Sequence, residues 1–137
     1  MNFFYRLSLI PLAILALYAT NLRRTHAGTM VDTKLSLVID VSGSVSTSEY
    51  NLQMDGYAAA FRSSGVQNLI LNGPLGRIAV NTTFFASSAT TPTAFQLLDD
   101  AASINGYADF LDNATRPTGI GTSTEIADGI TPSSQAW

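Results

Sequence analysis

The sequence contains no cysteine, which excludes a disulfide framework and any thiolate metal site. Histidine occurs once, at His26, and lysine once, at Lys34. A serine hydrolase with a histidine base would have to draw on His26, which lies in a stretch expected to be removed. A phosphate-binding lysine later in the chain is lacking too, so the chain is not expected to be an enzyme. Charged residues make up only 12% of the sequence, against 46% apolar; that suits a packed core and argues against disorder. Beyond residue 27 the only cations are Lys34, Arg62, Arg77 and Arg116, facing all ten acids. An acidic domain without a basic stripe excludes nucleic acid as a natural partner. The 137 residues suffice for one domain.

Long hydrophobic runs are also missing. The longest, "LSLIPLAILALYA" at 7–19, is interrupted by Pro11 and falls short of the roughly 20 residues of a spanning helix. With Arg6 before it and "THA" at 25–27 after it, residues 1–27 read as a cleaved signal peptide. The alternative is an uncleaved anchor, because Arg23 and Arg24 follow the apolar run, and only then would the chain meet a membrane. Either way the domain is expected to be exported: secreted, periplasmic or on the cell surface.

Residues 28–33 read as a linker. "KLSLVID" (34–40) is a strand, with Leu35, Leu37 and Ile39 on one face and Val38 on the other; such a strand is usually central and covered by helices. Ser46 and Glu49 form a capping-box signature. Tyr50, Met54, Tyr57, Ala58 and Phe61 then recur on one face of a helix from about 47 to 63, with Gly65 as its stop and 66–71 as one further turn. These aromatics are expected in the core. "NGPLG" (72–76) is a loop and "RIAVNTTFFA" (77–86) a second strand. "AFQLL" (94–98) is a short edge strand. Asp99 and Asp100 open a helix over 100–114, 115–124 is a loop, and a last helix begins at 125, with Pro132 ahead of it. Arg77 and Arg116 are expected to pair with surface acids. Asn81 and Asn113 stand in glycosylation sequons. Strand and helix alternate at crossover length, the pattern of an α/β domain.

The first strand ends in "VIDVSGSVS" (38–46), where Asp40, Ser42 and Ser44 alternate. A turn does not need three oxygen side chains. Hard divalent cations want such oxygens and keep several waters, and ligands of α/β sheets collect at the carboxyl ends of strands. Gly43 would let the backbone turn so that both serines face inward. The bland reading is that Asp40 or Ser44 only caps the next helix.

"LVIDVSGSVS" resembles the first metal-binding loop of the von Willebrand factor type A domain, the metal-ion-dependent adhesion site. In that family a second loop supplies a threonine from a Gly/Thr-rich turn opening a helix. "GIGTSTEIADGI" (119–130) is similar to it, with Thr124 in the matching place and Thr122 as the alternative. Glu125 is then a solvated first-turn acid or an acceptor behind Thr124. "YAAAFR", "GRIAV" and "LLDDAASINGYADFL" resemble uncharacterised, exported bacterial members. The resemblance covers residues 34–131. It implies a doubly wound, mostly parallel sheet with helices on both faces. It also implies a divalent cation, Mg²⁺ or Mn²⁺ rather than Ca²⁺, held by Asp40, Ser42, Ser44 and Thr124. The open coordination position would take a carboxylate from a partner protein, so the domain is expected to be an adhesion-type binding module. The family's third loop, an aspartate after a fourth strand, lies beyond the sequence given, and residues 34–137 are expected to form a partial domain. The alternatives are an exported scaffold with a vestigial metal site and a truncated fragment.

Overall fold

The structure, a computed structural model, describes residues 28–135. The expected signal peptide and Trp137 lie outside those residues. In chain order the elements are β1 (Thr33–Asp40), α1 (Thr47–Arg62), α2 (Ser64–Leu71), β2 (Ile78–Phe85), β3 (Ala89–Thr90), β4 (Gln96–Leu98), α3 (Ala101–Asn113) and α4 (Ile126–Gln135). The architecture is α/β around a mixed four-stranded sheet. β2 is its centre and is buried along its whole length. β1 pairs with it in parallel, from Thr33 opposite Ile78 to Asp40 opposite Phe85. β3 and β4 share the other edge, both antiparallel: Phe84 lies opposite Thr90 and Val80 opposite Gln96. The expectation of a mostly parallel sheet is therefore corrected, since one pairing is parallel and two are antiparallel. The hairpin from β2 into β3 reverses the chain within a few residues, which only antiparallel neighbours allow.

β1 is an edge strand among the described residues, although its two-sided apolar pattern reads as central. Its first three residues are exposed. It also begins one residue earlier than expected, at Thr33. Asp32 anchors this entry, with its carboxylate accepting the N–H groups of Leu75 (2.9 Å) and Arg77 (3.3 Å). Arg77 thus meets an acid through its backbone, and its Nε is buried without a partner, contrary to the expected surface ion pair.

The α1 helix starts as the sequence predicts. Ser46 is the N-cap and exchanges hydrogen bonds with Glu49 in a capping box, and the Ser46 hydroxyl holds the Glu49 carboxyl below its ordinary range. Ser44 is therefore not the cap. The helix ends at Ser63, not at Gly65. Ser63 is extended, and its hydroxyl caps a separate helix, α2, over which Gly65 is simply helical. Asp100 caps α3 in a second box with Ser103. α4 runs to Gln135, with Pro132 inside it.

The core lies where α1 and α3 cover one face of the sheet. Ile39, Val80 and Phe84 meet Tyr50, Met54, Ala58 and Phe61 from α1 and Ile104, Tyr107, Ala108 and Leu111 from α3. Tyr107 stands edge-on to Phe61 at 4.9 Å and shares a 2.7 Å hydrogen bond with Thr82. On the rim, Arg62 bridges Asp109 and Asp112, an exposed pairing worth little. α4 meets the other face, where Gly129 lies against Phe85 and Val38. On that face Asn81 is fully buried, so its sequon is closed to glycosylation in the folded chain.

Candidate functional site

At the carboxyl end of β1 the last ladder bond runs from Val41 N–H to Phe85 O, at 2.9 Å. The chain then turns sharply. The Asp40 carboxylate accepts the N–H of Ser42 at 2.7 Å, an Asx turn that bends the strand into a loop. Val45 N–H closes back on Ser42 O at 3.0 Å. The turn brings alternate side chains to one side: Ser42 Oγ lies 3.2 Å from Ser44 Oγ. The Thr124 hydroxyl, from the second loop, donates to Ser42 Oγ at 2.9 Å. Asp40, Ser42, Ser44 and Thr124 thus come together, as the sequence pattern suggests. Ser42 is fully buried, Asp40 half-buried, and Ser44 and Thr124 exposed, so the cluster has a sealed floor and an open mouth.

Thr122 plays a different part. Its carbonyl accepts the N–H of Gly43 at 2.8 Å, and a Cβ on Gly43 would stand 3.3 Å from Thr122 Cβ. Gly43 does not have a positive φ. Its lack of a side chain serves the close approach of the two loops and not the turn expected of it.

The second loop is tied down from below. Ser87 Oγ accepts the N–H groups of Thr122 (3.1 Å) and Ser123 (2.9 Å). Ser88 N–H donates to Ile120 O and Glu125 N–H to Ala86 O. Gly121, at φ 84°, passes against Ser87 where a Cβ would collide. These bonds place Thr124 just ahead of α4, whose N-terminus carries partial positive charge. Glu125 is exposed and meets the loop through its backbone.

Sequence reasoning missed Arg116. Instead of pairing with a surface acid, its Nη2 donates to Val41 O and Ser42 O, both at 2.7 Å. One guanidinium holds the first loop by its backbone and brings a fixed positive charge to the site. Its field opposes the rise that burial imposes on the Tyr50 phenol, whose hydroxyl donates to Ala114 O at 2.9 Å. Thr115 and Pro117, on either side of Arg116, line an apolar cleft of about 440 Å³ with Phe84 and Phe110.

The donors are three hydroxyls and one carboxylate. Among the described residues no group of three or more His, Cys, Asp or Glu is placed to hold a metal. Any cation held here would rest on hydroxyl oxygens, a hard and weakly charged set that suits Mg²⁺ or Mn²⁺ retaining part of its water. The sequence model of a family described as "Protein of unknown function (DUF1194)" matches residues 30–136. Comparison with curated proteins gives no match.

Proposed function

The chain belongs to the DUF1194 family of proteins of unknown function, and on that footing we propose that it is an exported, metal-ion-dependent protein-binding module related to the von Willebrand factor type A domain. In this reading the sheet is half of a doubly wound one. Asp40, Ser42, Ser44 and Thr124 hold one divalent cation, Mg²⁺ or Mn²⁺, and a carboxylate from a partner protein completes its shell. The observation that carries the reading is the bond from Thr124 to Ser42, which joins the second loop's hydroxyl to the Asp-x-Ser-x-Ser turn.

Charge explains why such a site would need a partner. One carboxylate offsets only half of a divalent charge, and the Arg116 guanidinium lies just behind the loop. A bare cation is therefore held weakly, with a dissociation constant on the order of 10⁻³ M, comparable to weak extracellular cation modules. An acidic side chain arriving from outside supplies the missing negative charge, so cation and partner bind better together than apart.

Calorimetric titration of Mg²⁺ and Mn²⁺ into the purified chain tests this, beside an Asp40→Ala/Ser42→Ala variant. The expected result is a weak binding heat that the variant loses. A folded chain that gives no heat would overturn the proposal and leave the exported scaffold with a vestigial loop. The absence of a carboxylate cluster among the described residues is the observation that favours that second reading.

A further inference from the structure

The segment 114–117 serves two neighbouring features. Arg116 bonds the carbonyls of Val41 and Ser42 in the first loop, and the Tyr50 hydroxyl holds Ala114 O at 2.9 Å. Ala114, Thr115 and Pro117 of the same segment line the apolar cleft of about 440 Å³. A second lining segment, Thr90 and Pro92, continues from the turn whose Ser87 hydroxyl accepts two N–H groups of the second loop. The cleft is thus continuous with the anchors of both loops of the candidate cation site. It lies on the β3 side of β2 and takes no residue from β1.

The rings of Phe84 and Phe110 complete the lining. Phe84 is buried, Phe110 half-buried and Pro92 exposed, so the cleft opens to solvent above an aromatic base. Both rings are braced by core tyrosines: Phe84 stands 6.3 Å from Tyr50 and Phe110 stacks on Tyr107 at 5.8 Å. The two prolines have a fixed φ. Such a cleft is pre-formed and of the size that ligand sites have. Aromatic linings favour an aromatic guest, in offset or edge-on contact. Asn113 stands exposed at the rim. Its Nδ2 donates to Asp109 O at 2.7 Å, which leaves its side-chain oxygen to accept a bond from a polar ring tip. Toward α1, by contrast, the surface next to the loop is polar, since Ser46, Thr47, Ser48 and Glu49 are all exposed.

From this we infer that the cleft takes an aromatic side chain of the same partner segment whose carboxylate completes the cation's shell. The inference rests on the cation reading of the two loops and names the partner's chemistry. The spacing follows from reach. From the guanidinium of Arg116 back to the neighbouring residues that line the cleft is on the order of 10 Å at full extension. A polyproline II peptide covers that in about three residues and returns to the same side every three. The partner segment therefore carries an acid and, three positions on, an aromatic residue.

The test is calorimetry on the purified full chain in excess Mg²⁺ with acetyl-Asp-Pro-Pro-Trp-amide, whose prolines hold the extended spiral. This peptide is expected to bind about tenfold more tightly than versions with alanine for tryptophan or asparagine for aspartate. Moving the tryptophan next to the aspartate is expected to remove its benefit. Pro92→Asp sets a carboxylate at the mouth without deleting a backbone donor, and Phe110→Leu takes one ring from the lining. Each is expected to reduce the preference for tryptophan. Mg²⁺ titration and circular dichroism on the same variants separate that loss from loss of the cation or of the fold. The inference would be overturned by a chain that binds Mg²⁺ yet holds the tryptophan and alanine peptides alike. Equal binding of the tryptophan peptide without Mg²⁺, or a tryptophan preference that survives both substitutions intact, would overturn it as well. Acetyltryptophan amide, which has no carboxylate, distinguishes failure of the cation reading. If it binds and is displaced by Pro92→Asp while Mg²⁺ gives no heat, the cation reading fails and the pairing of the two subsites falls with it.

Discussion

Arg116 is the residue on which the first loop depends. Its two bonds to the carbonyls of Val41 and Ser42 fix the segment that carries the hydroxyls. Replacing it by methionine keeps much of the side-chain bulk and removes the donors. The expected cost is about 1–3 kcal/mol, read from chemical denaturation. The Arg116→Lys variant is expected to recover only part of it, because an ammonium lacks the planar fork that reaches two oxygens at once. Asp40, Ser42 and Ser44 were legible in the sequence because they repeat at the period of a strand and break off where a turn begins. Thr124 was legible only through resemblance to a second loop. Arg116 left no such trace: its partners are backbone carbonyls, which every residue has, so no pattern of residue types announces it. Ser87 was hidden for the same reason, since it works by accepting two backbone N–H groups.

At the scale of elements, α4 makes its tightest approach to the sheet at Gly129. Gly129 is buried against β1 and β2, and a Cβ there would stand 2.8 Å from the Phe85 ring and 2.9 Å from Val38. Neither neighbour can withdraw, because one is in the sheet's central strand and the other packs beside it. Gly129→Ala is expected to cost about 1–3 kcal/mol by overpacking, despite alanine's better helix propensity. Lifting α4 also displaces Thr124 ahead of it, so cation binding is expected to fall together with stability. Calorimetry and denaturation on the same variant measure both. Elements with strong local signals were read correctly: α1 and α3 have capping boxes and a single apolar face, and β2 alternates cleanly. Those decided by tertiary context were misread. Ser63 reads like any surface serine, yet it ends one helix and caps the next. Pro132 stands inside α4, with the Thr131 hydroxyl bonded to Ala127 O at 2.9 Å.

For the molecule as a whole, Tyr107 ties the layers together. It reaches Thr82 in β2 and stacks edge-on against Phe61 of α1, so three elements share one side chain. Burial pushes its phenol up to about 12, against a smaller opposing effect from the Thr82 hydrogen bond. The neutral form is the one the fold accommodates. Its contribution is fully present below pH 10, the ordinary value of a tyrosine, and is lost as pH rises from there toward 12. Cooperative unfolding is therefore expected within that alkaline window, followed by near-ultraviolet circular dichroism. Tyr107→Phe is expected to blunt the pH dependence while costing about 1–2 kcal/mol at neutral pH, because the buried Thr82 hydroxyl loses its partner. The α/β class was legible from alternating elements. The mixed pairing of the sheet was not, because strand direction on the far edge of β2 is set by the short β2–β3 hairpin, and two residues carry too little periodicity to reveal it.

The bond between Thr124 and Ser42 spans 82 positions of the chain, the greater part of the described residues. No shorter stretch contains the site. A nascent chain that has produced the Asp-x-Ser-x-Ser turn has only one wall of it, and closing so long a loop waits on the sheet and helices between. Cation capture would therefore act as a quality mark. It would distinguish a finished molecule from one interrupted, misfolded or cut anywhere in between, and would stabilise only the former.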